Sequence, residues 1–198
     1  MKKKKELPPL SPKYSSFQLE AGVDEAGRGC LAGPVAVAAV ILPDAYSLEG
    51  LTDSKLLSPD QRNYLRKAIM EQAVSWKVVM VPHTRIDEIN ILQASLEGMH
   101  LAIAGLDTEP EFLAIDGNKF PPYKNIPHEC LVKGDSRFAN IAAASILAKT
   151  SRDAYMEEQH EIYPHFGWNS NKGYPTKKHR EAIKTYGPSP IHRTSFKW

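Results

Sequence analysis

Asp24 and Glu25 stand side by side, and a glycine-rich turn follows at once: Val23-Asp24-Glu25-Ala26-Gly27-Arg28-Gly29. Adjacent carboxylates repel, so a fold sets them together at a strand end only where positive charge offsets them. Gly27 and Gly29 let backbone come close to a ligand and reach dihedrals that other residues avoid. Arg28 adds a fork of donors suited to phosphate. Acid pair, bare backbone and guanidinium together suggest metal ions and a phosphodiester. A polar turn after a strand is the plainer reading of a lone Asp-Glu pair, and the rest of the chain decides between them.

Two further acids repeat the pattern. Asp116 precedes Gly117 and Asp135 follows Gly134, each just after an apolar run. In open α/β sheets, ligands bind beyond strand ends. If the three strands are neighbours with aligned ends, Asp24, Glu25, Asp116 and Asp135 meet. Hard divalent cations relieve the repulsion, because Mg²⁺ prefers oxygen ligands and keeps its waters. Two such ions about 3.5–4 Å apart can clamp an in-line phosphoryl displacement, activating water and stabilising the leaving oxygen. The seven histidines show no His-x-x-x-His spacing and there is no cysteine cluster, so no zinc site is expected.

The positioning elements follow from periodicity. A strand is predicted from Phe17 to about Asp24, and the run Val35 to Leu42 is a buried strand. Ser58-Pro59-Asp60-Gln61 starts a helix that runs to about Gln72: Ser58 caps, proline takes the first helical position and Gln61 closes a capping box. Ser75 to Val81 reads as a strand. Thr84-Arg85-Ile86-Asp87 is a second capping box, ahead of an amphipathic helix carrying Ile89, Leu92, Leu96, Met99 and Ile103. Short strands are predicted at Phe112–Ile115 and Glu129–Lys133. A helix from about Arg137 to Tyr163 carries Ala142-Ala143-Ala144-Ser145, small enough to lie close on a sheet. Another helix spans Thr176 to Tyr186. Alternating strands and helices indicate an α/β layer architecture.

The chain has 198 residues, 42% of them hydrophobic, which suits one domain. Residues 1–16 read as a mobile basic arm, beginning Met1-Lys2-Lys3-Lys4-Lys5, and residues 17–198 as the catalytic domain. The net charge of +2 permits a nucleic-acid partner without requiring one. Its distribution says more: Lys172 to Lys197 holds seven Lys/Arg against one acid, with aromatics interleaved, a stretch able to grip a phosphate backbone. Cys30 and Cys130 lie far apart and read as reduced thiols of a cytoplasmic protein. No run of about 18 apolar residues suggests a membrane span.

These motifs together resemble ribonuclease HII, the bacterial type 2 ribonuclease H. They are Asp24 to Gly29; Asp53-Ser54-Lys55; Asn90-Ile91-Leu92; Ile115 to Asn118; Lys133 to Ser136; Ala143 to Lys149; and Lys172 to Thr176. The resemblance covers nearly the whole chain beyond the arm. It implies an RNase H-like fold with a mixed five-stranded sheet flanked by helices and a helical C-terminal part. It implies an endonuclease that cuts the RNA strand of RNA–DNA hybrids and incises duplex DNA 5′ of an embedded ribonucleotide, leaving 3′-hydroxyl and 5′-phosphate ends; nothing in the sequence suggests more than a monomer. By motif position, Asp24, Glu25, Asp116 and Asp135 match the family's catalytic ligands of Mg²⁺ or Mn²⁺, with two ions expected. Gly27-Arg28-Gly29 matches the turn that senses the ribose 2′-hydroxyl, and Tyr174 the tyrosine that stacks on a sugar at the RNA–DNA junction. Lys55 and Lys149 are expected on the substrate backbone with the basic C-terminal stretch. The chain departs at Cys30, where proline is common, and at Leu56, where a second lysine is.

Other classes meet the motifs less well. Gly27-x-Gly29-x-x-Ala32 after a strand mimics a dinucleotide fingerprint, but that fingerprint needs a helix next, and Gly33-Pro34 leads into a β-branched run. A non-catalytic binding module is expected to lose some of the four acids. A resolvase of the same fold lacks these motifs.

Overall fold

The computed structural model of the chain describes residues 9–198. Its sheet is built on strand β1, Glu20–Ala26, and strand β2, Val35–Ile41. Every residue of β2 is buried, as a continuous run of Val, Ala and Ile requires when both faces are covered. Strand β3 (Ser75–Val81), strand β4 (Phe112–Asp116) and strand β5 (His128–Leu131) complete the order β3-β2-β1-β4-β5. β1 pairs antiparallel with β2 and parallel with β4, and β4 is parallel to β5. The sheet is therefore mixed, as expected.

Strand alternation assigns the faces. Ala36, Ala38 and Val40 pack with helix α1 (Pro59–Gln72) and helix α3 (Ala139–Ile162), while Val37, Ala39 and Ile41 pack with helix α2 (His83–Ala104). On the neighbouring strands, Ala21, Val23, Leu113 and Ile115 belong to the α2 face. Period two then sends Gly22 and Asp24, Ala114 and Asp116, to the α3 face. α3 comes so close at Gly22 that a β-carbon there would strike the backbone of Asn140 and Ile141. The small residues read in this helix, Ala142 to Ala144, are all buried.

α1 begins as predicted: Ser58 accepts from the Gln61 amide and Gln61 reaches back to the Ser58 amide. The second capping box does not form. α2 starts at His83 after Pro82 with no side-chain cap, because the Asp87 carboxylate is turned away to Thr194 and Ser195. α2 also breaks at Asn90 (φ 68°), whose Oδ1 caps the continuing helix by accepting from the Leu92 and Gln93 amides.

Helix α4 (Trp168–Asn171) and helix α5 (Lys177–Tyr186) form the helical C-terminal part, packed with Leu31, Ala32 and Met156. Of the arm expected over residues 1–16, residues 1–8 lie outside the described residues. The remainder rests on the body. Ser11 accepts from the Ala139 amide at 2.9 Å, satisfying one free donor of the α3 N-terminus, and the Tyr14 ring lies on Phe112 and Phe138. Among the described residues no helix is long and apolar enough to cross a membrane.

Candidate active site

The parallel pairing of β1 and β4 places Val23 opposite Ile115, so Asp24 and Asp116 leave the sheet side by side on one face. β5 ends one strand further on, and a tight turn over Gly134–Ser136 brings back Asp135. The Gly134 amide donates to Asp116 Oδ1 at 2.8 Å, tying the second acid to the turn of the third. Asp24, Glu25, Asp116, Gly27 to Gly29, Ser54, Lys55, Ser145, Lys149 and Tyr174 line one cleft of about 250 Å³. Asp135 reaches this group through the Lys55 ammonium and the turn that carries it, and does not line the cleft itself.

Its electrostatics are those of crowded acids. Burial, then the charges of Glu25 and Asp116, push the Asp24 carboxyl well above the usual carboxylate range. Burial also raises Glu25, against the pull of Arg28, and raises Asp116, with Asp135 adding to it. The protein supplies two cations of its own: Lys55 Nζ meets Asp135 Oδ2 at 2.9 Å, and an Arg28 guanidinium nitrogen meets Glu25 Oε1 at 3.0 Å. As arranged, no three His, Cys, Asp or Glu side chains among the described residues form a group that could hold a metal ion. The chemistry of the donors nevertheless fits a hard divalent ion. All are carboxylate oxygens, burial raises three of the acids and so favours a cation beside them, and among the described residues buried Glu25 Oε2 has no hydrogen-bond partner.

The turn beyond the acids is held from behind. Gly27 has φ 99°, and a β-carbon there would collide with the Arg152 side chain. Among the described residues nothing lies within 4 Å of where a Gly29 β-carbon would stand, so its openness belongs to the cleft. Cys30, buried, closes the turn through its amide to Gly27 O at 3.3 Å, a bond that proline lacks. β2, and no helix, follows. Tyr174 stands 42% exposed beside the turn. Its carbonyl accepts from His179 Nδ1 at 2.9 Å; His179 Nε2 takes the Trp168 indole N–H at 3.0 Å and meets His192 Nε2 at 3.1 Å. Because His192 Nδ1 accepts the Ser189 amide, its proton sits on Nε2 and points at His179.

Two expected substrate contacts stand differently. Lys55 lies on Asp135, and Lys149, although it lines the cleft, is paired with Asp153 at 2.7 Å. Of the basic C-terminal stretch, Arg193 is wholly buried and Lys172 is paired with Glu157. Ser145 and Arg152 were not assigned to the site from sequence, and Arg193 was expected only as part of the basic stretch on the substrate backbone. Ser145, read as a small packing residue, faces Ser54 at 3.0 Å, and its hydroxyl pulls the Asp24 carboxyl down against the main trend. Arg152 and Arg193 bind the loop that carries the glycines. A hydroxyl ending an alanine run was a usable signal for Ser145. Nothing local marks either arginine.

The family model for ribonuclease HII matches residues 21–198. The chain is 55% identical over 184 residues to ribonuclease HII of Christiangramia forsetii, covering 93% of each chain. It is 54% identical over 187 residues to that of Phocaeicola vulgatus, covering 94% of this chain and 93% of the relative. Among solved structures, it is similar to ribonuclease H2 of Pyrococcus horikoshii, with a TM-score of 0.75 and 29% identity over 90% of this chain and 93% of that one. It is also similar to RNase HII in the PCNA complex from Archaeoglobus fulgidus, with a TM-score of 0.77 and 28% identity over 91% and 96% of the two chains.

Proposed function

The chain belongs to the ribonuclease HII family of metal-dependent endonucleases, and from that premise we propose that it recognises a ribonucleotide inside a duplex and cuts on its 5′ side. Its substrates are RNA–DNA hybrids and duplex DNA carrying single ribonucleotides, and its service is ribonucleotide excision and RNA primer removal. It works as a monomer in the cytoplasm. The observation that carries this reading is the meeting of Asp24, Glu25 and Asp116 with Gly27–Gly29 and Tyr174 in one cleft.

Asp24, Glu25, Asp116 and Asp135 would hold two Mg²⁺ or Mn²⁺ ions with the scissile phosphate. Such ions supply an activated water and offset the charge of the leaving oxygen. The chain's residues do the selecting. The turn brings backbone to the ribose, where a 2′-hydroxyl can take hydrogen bonds that deoxyribose lacks. Tyr174 offers its ring to the next sugar. Lys149 stands in the cleft for a phosphate, and Lys55, now neutralising Asp135, can exchange that carboxylate for one.

The deciding assay is a duplex with one embedded ribonucleotide beside an all-DNA control, in Mg²⁺ and in Mn²⁺. Incision 5′ of the ribonucleotide, with 3′-hydroxyl and 5′-phosphate ends and an intact control, is expected. No incision in either metal sinks the reading. Tyr174→Ala is expected to hurt junction cleavage more than cleavage of long hybrids, and equal losses on both would remove that role from Tyr174.

A further inference from the structure

Two guanidinium groups are buried behind the glycine turn, and among the described residues neither is paired with a carboxylate. A buried cation without a counter-ion is costly unless hydrogen bonds satisfy it in full. Here they end entirely on carbonyls. Arg152 donates to Pro34 O at 2.9 Å, Ala32 O at 2.9 Å and Lys172 O at 2.8 Å. Arg193 donates to Gly33 O at 3.0 Å, Pro34 O at 3.1 Å, Arg28 O at 2.9 Å and Gly27 O at 2.8 Å.

The last two bonds fix more than position. Peptide bonds are planar, and none in the described chain is cis. A carbonyl of Gly27 turned onto Arg193 therefore turns the Arg28 amide hydrogen the opposite way. The carbonyl of Arg28 does the same for the Gly29 amide. Among the described residues neither amide donates to an acceptor of the protein. Both belong to residues that line the cleft.

We propose that Arg193 is the positioning residue that sets ribose selectivity: its fork holds both turn carbonyls, so two amide hydrogens stand ready for a 2′-hydroxyl. The inference rests on the functional reading above and adds the C-terminal segment to it. That segment is itself anchored. The Arg193 amide donates to Leu31 O at 2.8 Å, and the Asp87 carboxylate takes the amides and hydroxyls of Thr194 and Ser195. Lysine cannot replace the fork, since one ammonium has no planar array to reach four carbonyls.

The test compares wild type, Arg193→Lys and Asp87→Ala on one duplex bearing either a ribonucleotide or its 2′-fluoro analogue. Circular dichroism and the thermal shift with Mn²⁺ monitor fold and acid cluster. Arg193→Lys is expected to lower the ribose-to-fluoro ratio of kcat/KM roughly tenfold, the loss of about one hydrogen bond, mainly through kcat and with the Mn²⁺ shift retained. Asp87→Ala, which keeps the guanidinium but frees its segment, lowers the ratio in the same direction and serves if Arg193→Lys fails to fold. Wild-type selectivity in the folded variants overturns the inference alone. A wild-type chain that leaves the ribonucleotide duplex intact overturns the functional reading, and this inference with it.

Discussion

Gly27 and Gly29 flank Arg28 in one turn, yet the protein asks different things of them. Gly27 is required by φ 99° and by Arg152 behind it; Gly29 is required by nothing among the described residues. Gly27→Ala is therefore expected to destabilise by about 1–3 kcal/mol in urea unfolding. Gly29→Ala should unfold within about 0.5 kcal/mol of wild type, while turnover of a ribonucleotide duplex drops roughly 10²-fold. The acids give a second contrast. Asp116 is raised by burial and by Asp135, so its ionised form opposes folding. Asp116→Asn should abolish cleavage yet leave the metal-free melting temperature equal or higher, since an asparagine oxygen can still accept from Gly134. Mg²⁺ at a hundredfold excess over its Kd should stabilise the wild type by about 2.7 kcal/mol. The gain should grow as pH rises through the range where the raised carboxyls lose the protons that compete with the ion. A shift independent of pH, or unchanged in Asp116→Asn, would remove these acids from the metal site.

At the scale of elements, α1 carries a cost that can be measured apart from chemistry. Its capping box satisfies two orphan amides, so Ser58→Ala should cost about 1 kcal/mol in urea unfolding while kcat per folded molecule holds. The same helix brings Arg62, which donates to Ser54 O at 3.1 Å and Leu57 O at 2.8 Å and so steadies the turn bearing Lys55. α1 was legible because its cap residues bond only to each other. The matching pattern at Thr84 failed because Asp87 found partners in Thr194 and Ser195, more than a hundred residues away, which no local window contains. Likewise β1 begins at Glu20, where Phe17 had been the expected start: the Glu20 carboxylate collects the amides of Tyr14 and Ser15 and the Asn140 side chain, folding the preceding segment back.

At the scale of the molecule, the C-terminal part is joined to the site through buried imidazoles. Burial, with His179 nearby, lowers the His192 pKa from 6.5 to about 4. The folded state thus favours neutral imidazole. This contribution is complete above about pH 6.5 and is lost as pH falls towards 4, where the unfolded chain binds the extra proton; its upper limit is roughly 3 kcal/mol. Melting temperature should fall between pH 7 and pH 5, and the fall should shrink in His192→Gln, in which the acid cluster titrates unchanged. An identical pH profile in the variant would show that the imidazole pair carries none of it.

The sequence by itself determined the strands, most helix limits, the acids and the glycines. These follow from properties of short windows: periodicity, capping and the repeated pairing of an acid with glycine at the end of an apolar run. Only the tertiary structure decided that β1 and β4 run parallel in register, so that Asp24 and Asp116 emerge on one face. It also decided that Lys55 and Arg28 neutralise the acids, and that Arg193 lies buried against Gly27 where sequence had it on the surface. A guanidinium's destination is set by which carbonyls lack partners elsewhere in the chain, and that is a property of the assembled fold.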